Sequence, residues 1–519
     1  MRKRNVLTAL AAAAMVLQLI GTAGPAASQT PPDVSFSFNP TSGPPGTKIN
    51  FSGTGCPHDA TKAFDGYFYL AQGNNNQALA EFTSDANGTF GGQYDTTGVP
   101  TGEYTTFALC VNTQKLGFGS PFTVTVPVIP GSTYFPLVPA RVLDTRNGTG
   151  VGGAMNPIGA GSSIDLKVAG VGGVPETGAT AVALNVVTTN ASGPDSYLTV
   201  WPTGSERPEA SNLNFRPGVS VPNLVIARIG TDGKVSMYNN LGSVHVAADV
   251  QGYFVGDTSG STYIPLTPAR VLDTRDGTGG TSTKVGEGGT IELKVVDVGG
   301  VPAAGGTAVA LNVTATNVSG AESFLTVWPS GSSRPLASNL NFVAGQTVPN
   351  LVIARVGEGG KVAIYNNVGT VDVVADTQGY FAAPVASGTA LPGAVYFPSN
   401  PARILDTRNG TGVPGGAQGQ LGTGGQLDLQ VTGRGGVPET ATAVVLNVTA
   451  ADSPGPDSYL TVWPTGAQQP LASNLNFVAG QTIPNLVIAK IGAGGRVSFY
   501  NNLGSTVVIA DVQGWFTAG

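Results

Sequence analysis

The chain is poor in the residues on which most enzyme chemistry depends. Its 519 residues include only two histidines and two cysteines, and charged residues make up 11% of the total. A Ser-His-Asp triad and a histidine zinc site both need histidine, and His58 and His245 are too few for a site that recurs along the chain. We therefore predict no catalytic residues and no metal site.

The shortage of charge also limits the partners. The formal net charge is −6, and a mildly acidic surface with few cations attracts neither a phosphate backbone nor an anionic membrane. We predict no nucleic-acid partner.

Long apolar runs are scarce as well, and the one that exists lies at the start of the chain. Arg2-Lys3-Arg4 precedes an apolar run over 6–20, and small residues follow at 26–28. This order is typical of a secretory signal peptide, which we assign to 1–28. A retained anchor is the alternative, but the run is shorter than the ~20 residues of a spanning helix. We expect a secreted, extracellular protein, held at a cell surface only by its own binding, with no membrane insertion after signal cleavage.

Glycine and proline, in contrast, are abundant, with 75 and 37 residues. They separate short runs in which apolar residues alternate, and no helical period is present. This pattern is typical of many short strands joined by tight turns. The sequence therefore predicts an all-β protein.

One eight-residue stretch recurs three times. Pro139-Ala140-Arg141-Val142-Leu143-Asp144-Thr145-Arg146 returns after 129 residues and again after a further 133. Solenoid units are only roughly 20–50 residues long, so the period is that of a whole domain. We predict a string of three homologous domains: repeat 1 over 133–254, repeat 2 over 262–381 and repeat 3 over 395–516.

Each repeat contains about eight or nine strand-like segments. The segment at 181–186 is apolar on both faces and predicts a central strand, whereas the segment at 197–201 alternates. We expect a β-sandwich of jelly-roll type. A closed barrel or a trefoil-like form is the alternative.

Residues 33–127 precede the repeats and have a different pattern. Six or seven short strands with turn signals between them predict an immunoglobulin-like sandwich. Cys56 and Cys110 are the only cysteines, and we expect them to form a disulfide outside the cytoplasm. The segment resembles bacterial immunoglobulin-like domains of secreted proteins, which implies a spacer or a binding module.

The repeats resemble domains found in tandem in many secreted actinobacterial proteins. The resemblance lies in a Pro-x-Arg-aliphatic-Leu-Asp-Thr-Arg signature near the start and an Asp-x-Gln-Gly-aromatic-Phe signature at the end, and it covers most of 133–516. It implies an extracellular modular protein and specifies no activity.

The charged residues of these two signatures recur in every repeat. They are Arg141, Asp144, Arg146 and Asp249; Arg270, Asp273, Arg275 and Asp376; and Arg403, Asp406, Arg408 and Asp511. We interpret them as a buried ion-pair network that fixes the first strand, because paired charges are the ones that interiors tolerate. The alternatives are a ligand site with a bidentate arginine and a calcium site on the turn that contains Asp144, Asn147 and Thr149.

An aromatic strand also recurs, with Tyr197 and Trp201, Phe324 and Trp328, and Tyr459 and Trp463. Residues two apart on a strand share one face. If that face is external, the rings form a platform for a sugar; otherwise they belong to the core.

A glycosidase would need two facing carboxylates. The recurring candidates are Asp144 and Asp249 with their copies, and a third position that holds Asp195, Glu322 or Asp457. Buried amides such as Asn185, Asn212 and Asn223 either fix turns or bind hydroxyl groups. We favour a non-catalytic protein, without a cofactor, whose repeats in series bind a cell-wall or extracellular polysaccharide through avidity. A structural stalk or fibre subunit and a glycan hydrolase are the alternatives.

Overall fold

The computed structural model describes residues 34–43, 47–72, 75–96, 99, 102–113, 115–124, 131–384 and 392–518. The predicted signal peptide lies outside them. The chain divides into two compact units, 1–129 and 130–519. In the described ranges, no helix has the length and apolar character needed to cross a membrane.

The described residues of the first unit form nine strands in two sheets. The strands are β1 (Ser35–Asn39), β2 (Ser42–Gly43), β3 (Lys48–Thr54), β4 (Gly66–Gln72), β5 (Asn75–Phe82), β6 (Phe90–Asp95), β7 (Gly102–Cys110), β8 (Lys115–Phe118) and β9 (Phe122–Val124). One sheet has the order β1-β3-β6, and the other has the order β2-β9-β7-β4-β5, with β8 also paired to β7. This is an immunoglobulin-type order, so the predicted sandwich is confirmed.

The core of this unit is aromatic. Phe51 stacks on Phe68 with ring centroids 4.6 Å apart, which brings a ring from each sheet into contact. The predicted disulfide between Cys56 and Cys110 is present and links the two sheets. One buried carboxylate, Asp65, lies near the same end of the sandwich.

Each repeat contains eight strands. Repeat 1 has β10 (Thr133–Asp144), β11 (Ser162–Lys167), β12 (Ala179–Ser192), β13 (Ser196–Pro202), β14 (Leu213–Phe215), β15 (Val221–Arg228), β16 (Lys234–Asn239) and β17 (Ser243–Val255). Repeat 2 has β18 (Thr262–Asp273), β19 (Thr290–Lys294), β20 (Gly306–Ser319), β21 (Ser323–Pro329), β22 (Leu340–Phe342), β23 (Val348–Arg355), β24 (Lys361–Asn366) and β25 (Thr370–Ala382). Repeat 3 has β26 (Ala394–Asp406), β27 (Gln426–Gln430), β28 (Ala441–Ala451), β29 (Ser458–Pro464), β30 (Leu475–Phe477), β31 (Ile483–Lys490), β32 (Arg496–Asn501) and β33 (Val507–Ala518).

The sheet order identifies the sandwich type. In repeat 1 one sheet runs β10-β17-β12-β15 and the other β11-β16-β13-β14, and the other repeats follow the same orders. Counting strands within a repeat, these are 1-8-3-6 and 2-7-4-5, the jelly-roll order. Valines and leucines such as Val182, Leu184 and Leu198 fill the space between the sheets. The jelly-roll prediction is confirmed, and the barrel and trefoil alternatives are wrong.

The three sandwiches are not strung out in series. The start of each repeat pairs with the start of the next. Tyr134 pairs with Ser261, just before β18, Tyr263 pairs with Ala394 of β26, and Tyr396 pairs with Ser132, just before β10. Three tyrosines and three phenylalanines, two from each repeat, form one buried cluster: Tyr134, Phe254, Tyr263, Phe381, Tyr396 and Phe516. The expected string of separate modules is therefore wrong, because these apolar faces bury one another.

Side-chain amides complete the ring. Asn185 donates to the carbonyl of Ser338, Asn312 to that of Ser473, and Asn447 to that of Ser211. The repeats thus contact one another in the cyclic order 1, 2, 3, 1. We call these three contacts the 1/2, 2/3 and 3/1 seams.

Other side-chain amides cover strand edges that would otherwise be open. The backbone N–H of Leu224, on β15, donates to Asn350 of repeat 2, and the N–H of Ile353, on β23, donates to Gln251 of repeat 1. Exposed edges invite pairing with other chains. Closure of the ring satisfies these edge groups within the chain.

Candidate functional site at the seams between repeats

The charged motif forms a compact network at the end of the first strand. Arg141, on β10, lies opposite Asp249, on β17, and its Nε donates to Oδ1 of Asp249 at 2.5 Å. Its Nη1 also donates to Asp144 at 2.8 Å. Both carboxylates are buried. The predicted buried network is therefore present, and Arg270 with Asp376 and Arg403 with Asp511 repeat it.

The second arginine of the motif is placed differently. Arg146 donates from Nε and Nη2 to the two oxygens of Asp144, at 2.9 and 2.7 Å, yet its side chain is 45% exposed. Arg275 and Arg408 are held in the same way. The carboxylate thus fixes the plane of a guanidinium group that still reaches solvent. Hydrogen bonds from Arg275 and Arg408 lower the pKa of Asp273 and Asp406 and keep these partners ionised.

The networks of repeats 1 and 2 lie against the next repeat. The backbone N–H of Ser338, in repeat 2, is 3.4 Å from Oδ2 of Asp249, in repeat 1. At the 2/3 seam, Nη2 of Arg270 donates to the carbonyl of Leu471 at 3.0 Å. The motif therefore contributes hydrogen bonds between repeats and also fixes the first strand of its own repeat.

A cleft opens at the 1/2 seam beside this network. It has a volume of about 290 Å³, and Arg141 and Arg146 of repeat 1 face Glu322, Phe324 and Asn341 of repeat 2 across it. The hydroxyl of Ser220 donates to Glu322 at 2.8 Å across the same seam. A second cavity, of about 270 Å³, lies at the 3/1 seam and contains Asp195, Tyr197, Asn214 and Thr482. We call these cavities the seam clefts.

The aromatic strand contributes to the clefts with only one of its two rings. Tyr197 and Phe324 line the clefts and are half-buried, as is their counterpart Tyr459. The tryptophans lie further along the strand, on the face opposite the sandwich core, since their neighbours Leu198 and Val200 pack between the sheets.

Each tryptophan is covered by the loop that follows it. Trp201, Trp328 and Trp463 are 9%, 6% and 3% exposed, and each indole N–H donates to a carbonyl four residues later, at Ser205, Ser332 and Ala467. They lie neither on an open platform nor between the sheets. Their place among the predicted ligand-binding residues is a correction, because the local loop removes them from the surface.

A further aromatic position escaped the sequence argument. Tyr238 lies 6.4 Å from Tyr197 between ring centroids, and Tyr365 and Tyr500 pair with Phe324 and Tyr459 in the same way. Arg207 stacks over Tyr238 at 3.6 Å, and Arg334 over Tyr365. The sequence did contain a signal, since this tyrosine recurs in all three repeats. Only the strand order, however, shows that Tyr238 lies beside Tyr197.

The buried amides divide into two groups. Asn185 and Asn223 join repeats, while Asn212 and Asn239 hold segments of their own repeat, for example by accepting from the N–H of Val200 and by donating to the carbonyl of Ile158. Asn214 is only partly buried and lines the 3/1 cleft, as its counterpart Asn341 lines the 1/2 cleft. The turn-fixing interpretation therefore applies to part of the set.

On the turn considered for calcium, the side-chain oxygens already accept hydrogen bonds. The oxygens of Asp144 accept from Arg141 and Arg146, and Oδ1 of Asn147 accepts from the backbone and hydroxyl of Thr149. A cation would have to displace these donors. Over the described ranges, no group of three or more His, Cys, Asp or Glu side chains is placed to hold a metal.

Comparison with known families finds no matching family model, and no curated protein matches the sequence. Two solved structures align over 75% of the chain with TM-scores of 0.15. One is from work on the triple jelly roll fold and turret assembly in an archaeal virus, with 10% identity over 90% of that chain. The other concerns the atomic structure of Sulfolobus Turreted Icosahedral Virus, with 11% identity over 92% of that chain. The jelly-roll assignment here rests on strand order.

Proposed function

We propose that this protein is a secreted, non-catalytic binding protein whose seam clefts hold a cell-envelope or extracellular polysaccharide. The observation that carries the proposal is the lining of the 1/2 cleft. Phe324 offers a ring face, Arg146 a guanidinium group fixed by Asp144, and Asn341 an amide. An apolar face beside convergent polar groups is the usual composition of a site for small polar ligands.

The same cleft favours binding over hydrolysis. Of the described residues that line it, Glu322 alone carries a carboxylate, and its Oε1 accepts from Ser220. Glycoside hydrolysis usually takes two carboxyl groups on opposite sides of the bond. Binding needs only the ring and the hydrogen-bonding groups.

The closed ring of repeats determines how the seam clefts could bind one polymer together. The repeats are held in one compact unit, so the clefts have fixed separations. Linked sites raise the apparent affinity only if one ligand reaches them together. We therefore expect a long polymer to bind more tightly than its short fragments.

The test uses the secreted chain with Tyr197, Phe324 and Tyr459 all changed to Ala. Because a ring contact contributes about 0.5–1.5 kcal/mol, each cleft should lose between about twofold and tenfold in affinity. The readouts are binding to a panel of cell-wall and extracellular polysaccharides and, in parallel, release of new reducing ends.

Repeat 2 supplies the matched control. Tyr197→Phe places in the 3/1 cleft the ring that the 1/2 cleft already has at Phe324, so binding should persist. No binding to any polymer by the unaltered chain, or equal binding by the triple variant, would refute the proposal. Release of reducing ends would favour the hydrolase.

A further inference from the structure

Repeat 3 has a surface cavity that its seams do not explain. It has a volume of about 790 Å³ and lies between the edge strand β27, its neighbour β32 and the loop before β27. Its lining includes two arginines and four glutamines: Arg434, Arg496, Gln418, Gln420, Gln426 and Gln430. We call it the repeat-3 pocket.

The cations of the pocket are less neutralised than their counterparts elsewhere. In repeat 1, Lys167 pairs with Glu176 at 2.9 Å and Lys234 lies 3.6 Å from Asp232. In repeat 2, Lys294 pairs with Asp297 at 3.2 Å. These pairs offset the charge of both lysines in repeat 1 and of Lys294 in repeat 2, whereas the second lysine of repeat 2, Lys361, has no ion pair among the described residues.

Repeat 3 differs at three of these positions and keeps one, since Glu439 stands where repeat 1 has Glu176 and accepts from the hydroxyl of Thr432. Gln430 replaces the first lysine, Gly494 stands where repeat 1 has Asp232, and Arg496 replaces the second lysine. In the part of the chain that the structure describes, the Arg434 guanidinium has no hydrogen bond or ion pair, and Arg496 donates only to Gln430, at 3.1 Å.

One carboxylate shares the pocket, and it is already engaged. Asp428 accepts from Ser498 at 2.7 Å and from Gln426 at 3.0 Å. Two guanidinium groups and one carboxylate leave a net positive charge on an otherwise acidic chain. Arginine forks match the oxygens of an oxyanion, and the amides provide donors and acceptors for hydroxyl groups.

We propose that the repeat-3 pocket binds a sugar that carries an oxyanion, either a carboxylate or a sulfate, through Arg434 and Arg496. This inference rests on the proposed function only in taking a saccharide as the ligand. It assigns the third repeat a specificity that the other two repeats lack.

The chain itself supplies a substitution that the fold tolerates. Arg434 occupies the position of Val171 and Val298 in the first two repeats, on an equivalent turn. Arg434→Val should therefore fold normally. We expect it to bind polygalacturonate or dextran sulfate at least about tenfold more weakly, since a charge-assisted contact is lost, and to bind neutral dextran as before.

Two further variants sharpen the result. Arg355→Val removes the same charge from an exposed site on repeat 2, and it should leave binding intact. Arg496→Lys restores the residue of the other repeats, and it should weaken binding by less than Arg434→Val because charge is kept while the fork is lost.

The polymers identify the oxyanion. Binding of polygalacturonate alone assigns a carboxylate, and binding of dextran sulfate alone assigns a sulfate. Binding of both shows that the pocket accepts either oxyanion. Binding of neither by the unaltered chain, or an equal loss in Arg355→Val, would overturn the inference. The triple seam variant should keep this binding, so failure of the seam proposal and failure of this one are distinguishable.

Discussion

The N-terminal unit and the three-repeat unit are both built from β-sandwiches, but different contacts hold them together. The first is one sandwich with a disulfide between its sheets and a buried carboxylate beside it. The second contains no cysteine and relies on contacts between repeats, where aromatic rings and amides from all three meet. A single small domain gains from a covalent link, whereas three homologous domains can bury one another's open faces.

The largest expected effect concerns the shared aromatic cluster. Phe381 is fully buried and contacts Tyr134 and Tyr263 with ring centroids 4.4 and 5.0 Å away. Phe381→Ala should destabilise the three-repeat unit by about 3–5 kcal/mol, because a buried aromatic leaves a cavity. Calorimetry should show this unit melting earlier while the N-terminal unit is unchanged.

Phe324→Ala serves as the control for that change, because Phe324 is half-buried at a seam cleft. Phe324→Ala should lower the free energy of unfolding distinctly less than Phe381→Ala does. Equal losses of unfolding free energy in the two variants would show that the central aromatic cluster contributes no more to the stability of the ring than a residue at a seam cleft.

The next effect belongs to the N-terminal unit alone. Replacing both Cys56 and Cys110 by Ser removes a link that spans 54 residues, and the loss should be about 4 kcal/mol on the chain-entropy account. Reduction of the unaltered chain should have the same effect. The melting of the three-repeat unit, which contains neither cysteine, should not change, and a shift there would contradict the prediction.

The smallest effect is a pH dependence centred on Asp65. Burial raises the pKa of this carboxyl, but hydrogen bonds from the backbone of Ser84 and from His58 and the backbone of Asp59 outweigh it and lower the pKa to about 2. A lowered pKa in the folded state stabilises the fold above the unfolded value of 3.8, and this contribution is lost as pH falls from about 4 to about 2.

Asp65→Asn should therefore flatten the acid limb of the N-terminal unit's stability curve and leave that of the three-repeat unit as it was. Urea unfolding between pH 7 and pH 2, followed separately for each unit, provides the measurement. An unchanged acid limb in the variant would assign the pH dependence to other carboxylates.

These comparisons also indicate which features could be predicted from the sequence. Alternation, turn residues and the recurring motif determined the strands, the sandwich class and the pairing of Cys56 with Cys110, because these depend on local pattern or on having no other partner. The network of Arg141 with Asp249 was predictable too, since two recurring charges of opposite sign in an apolar repeat need each other.

Only the tertiary structure decided how the repeats meet and which faces remain open. Alternation along β13 shows that Tyr197 and Trp201 share a face, but not that a loop covers Trp201 while Tyr197 reaches the neighbouring repeat. A periodic sequence specifies which side of a strand a residue occupies. What covers that side depends on how the chain folds back in three dimensions: the loop at Ser205 covers Trp201, and Asn185 meets Ser338 of the next repeat. Alternation along a strand encodes neither contact.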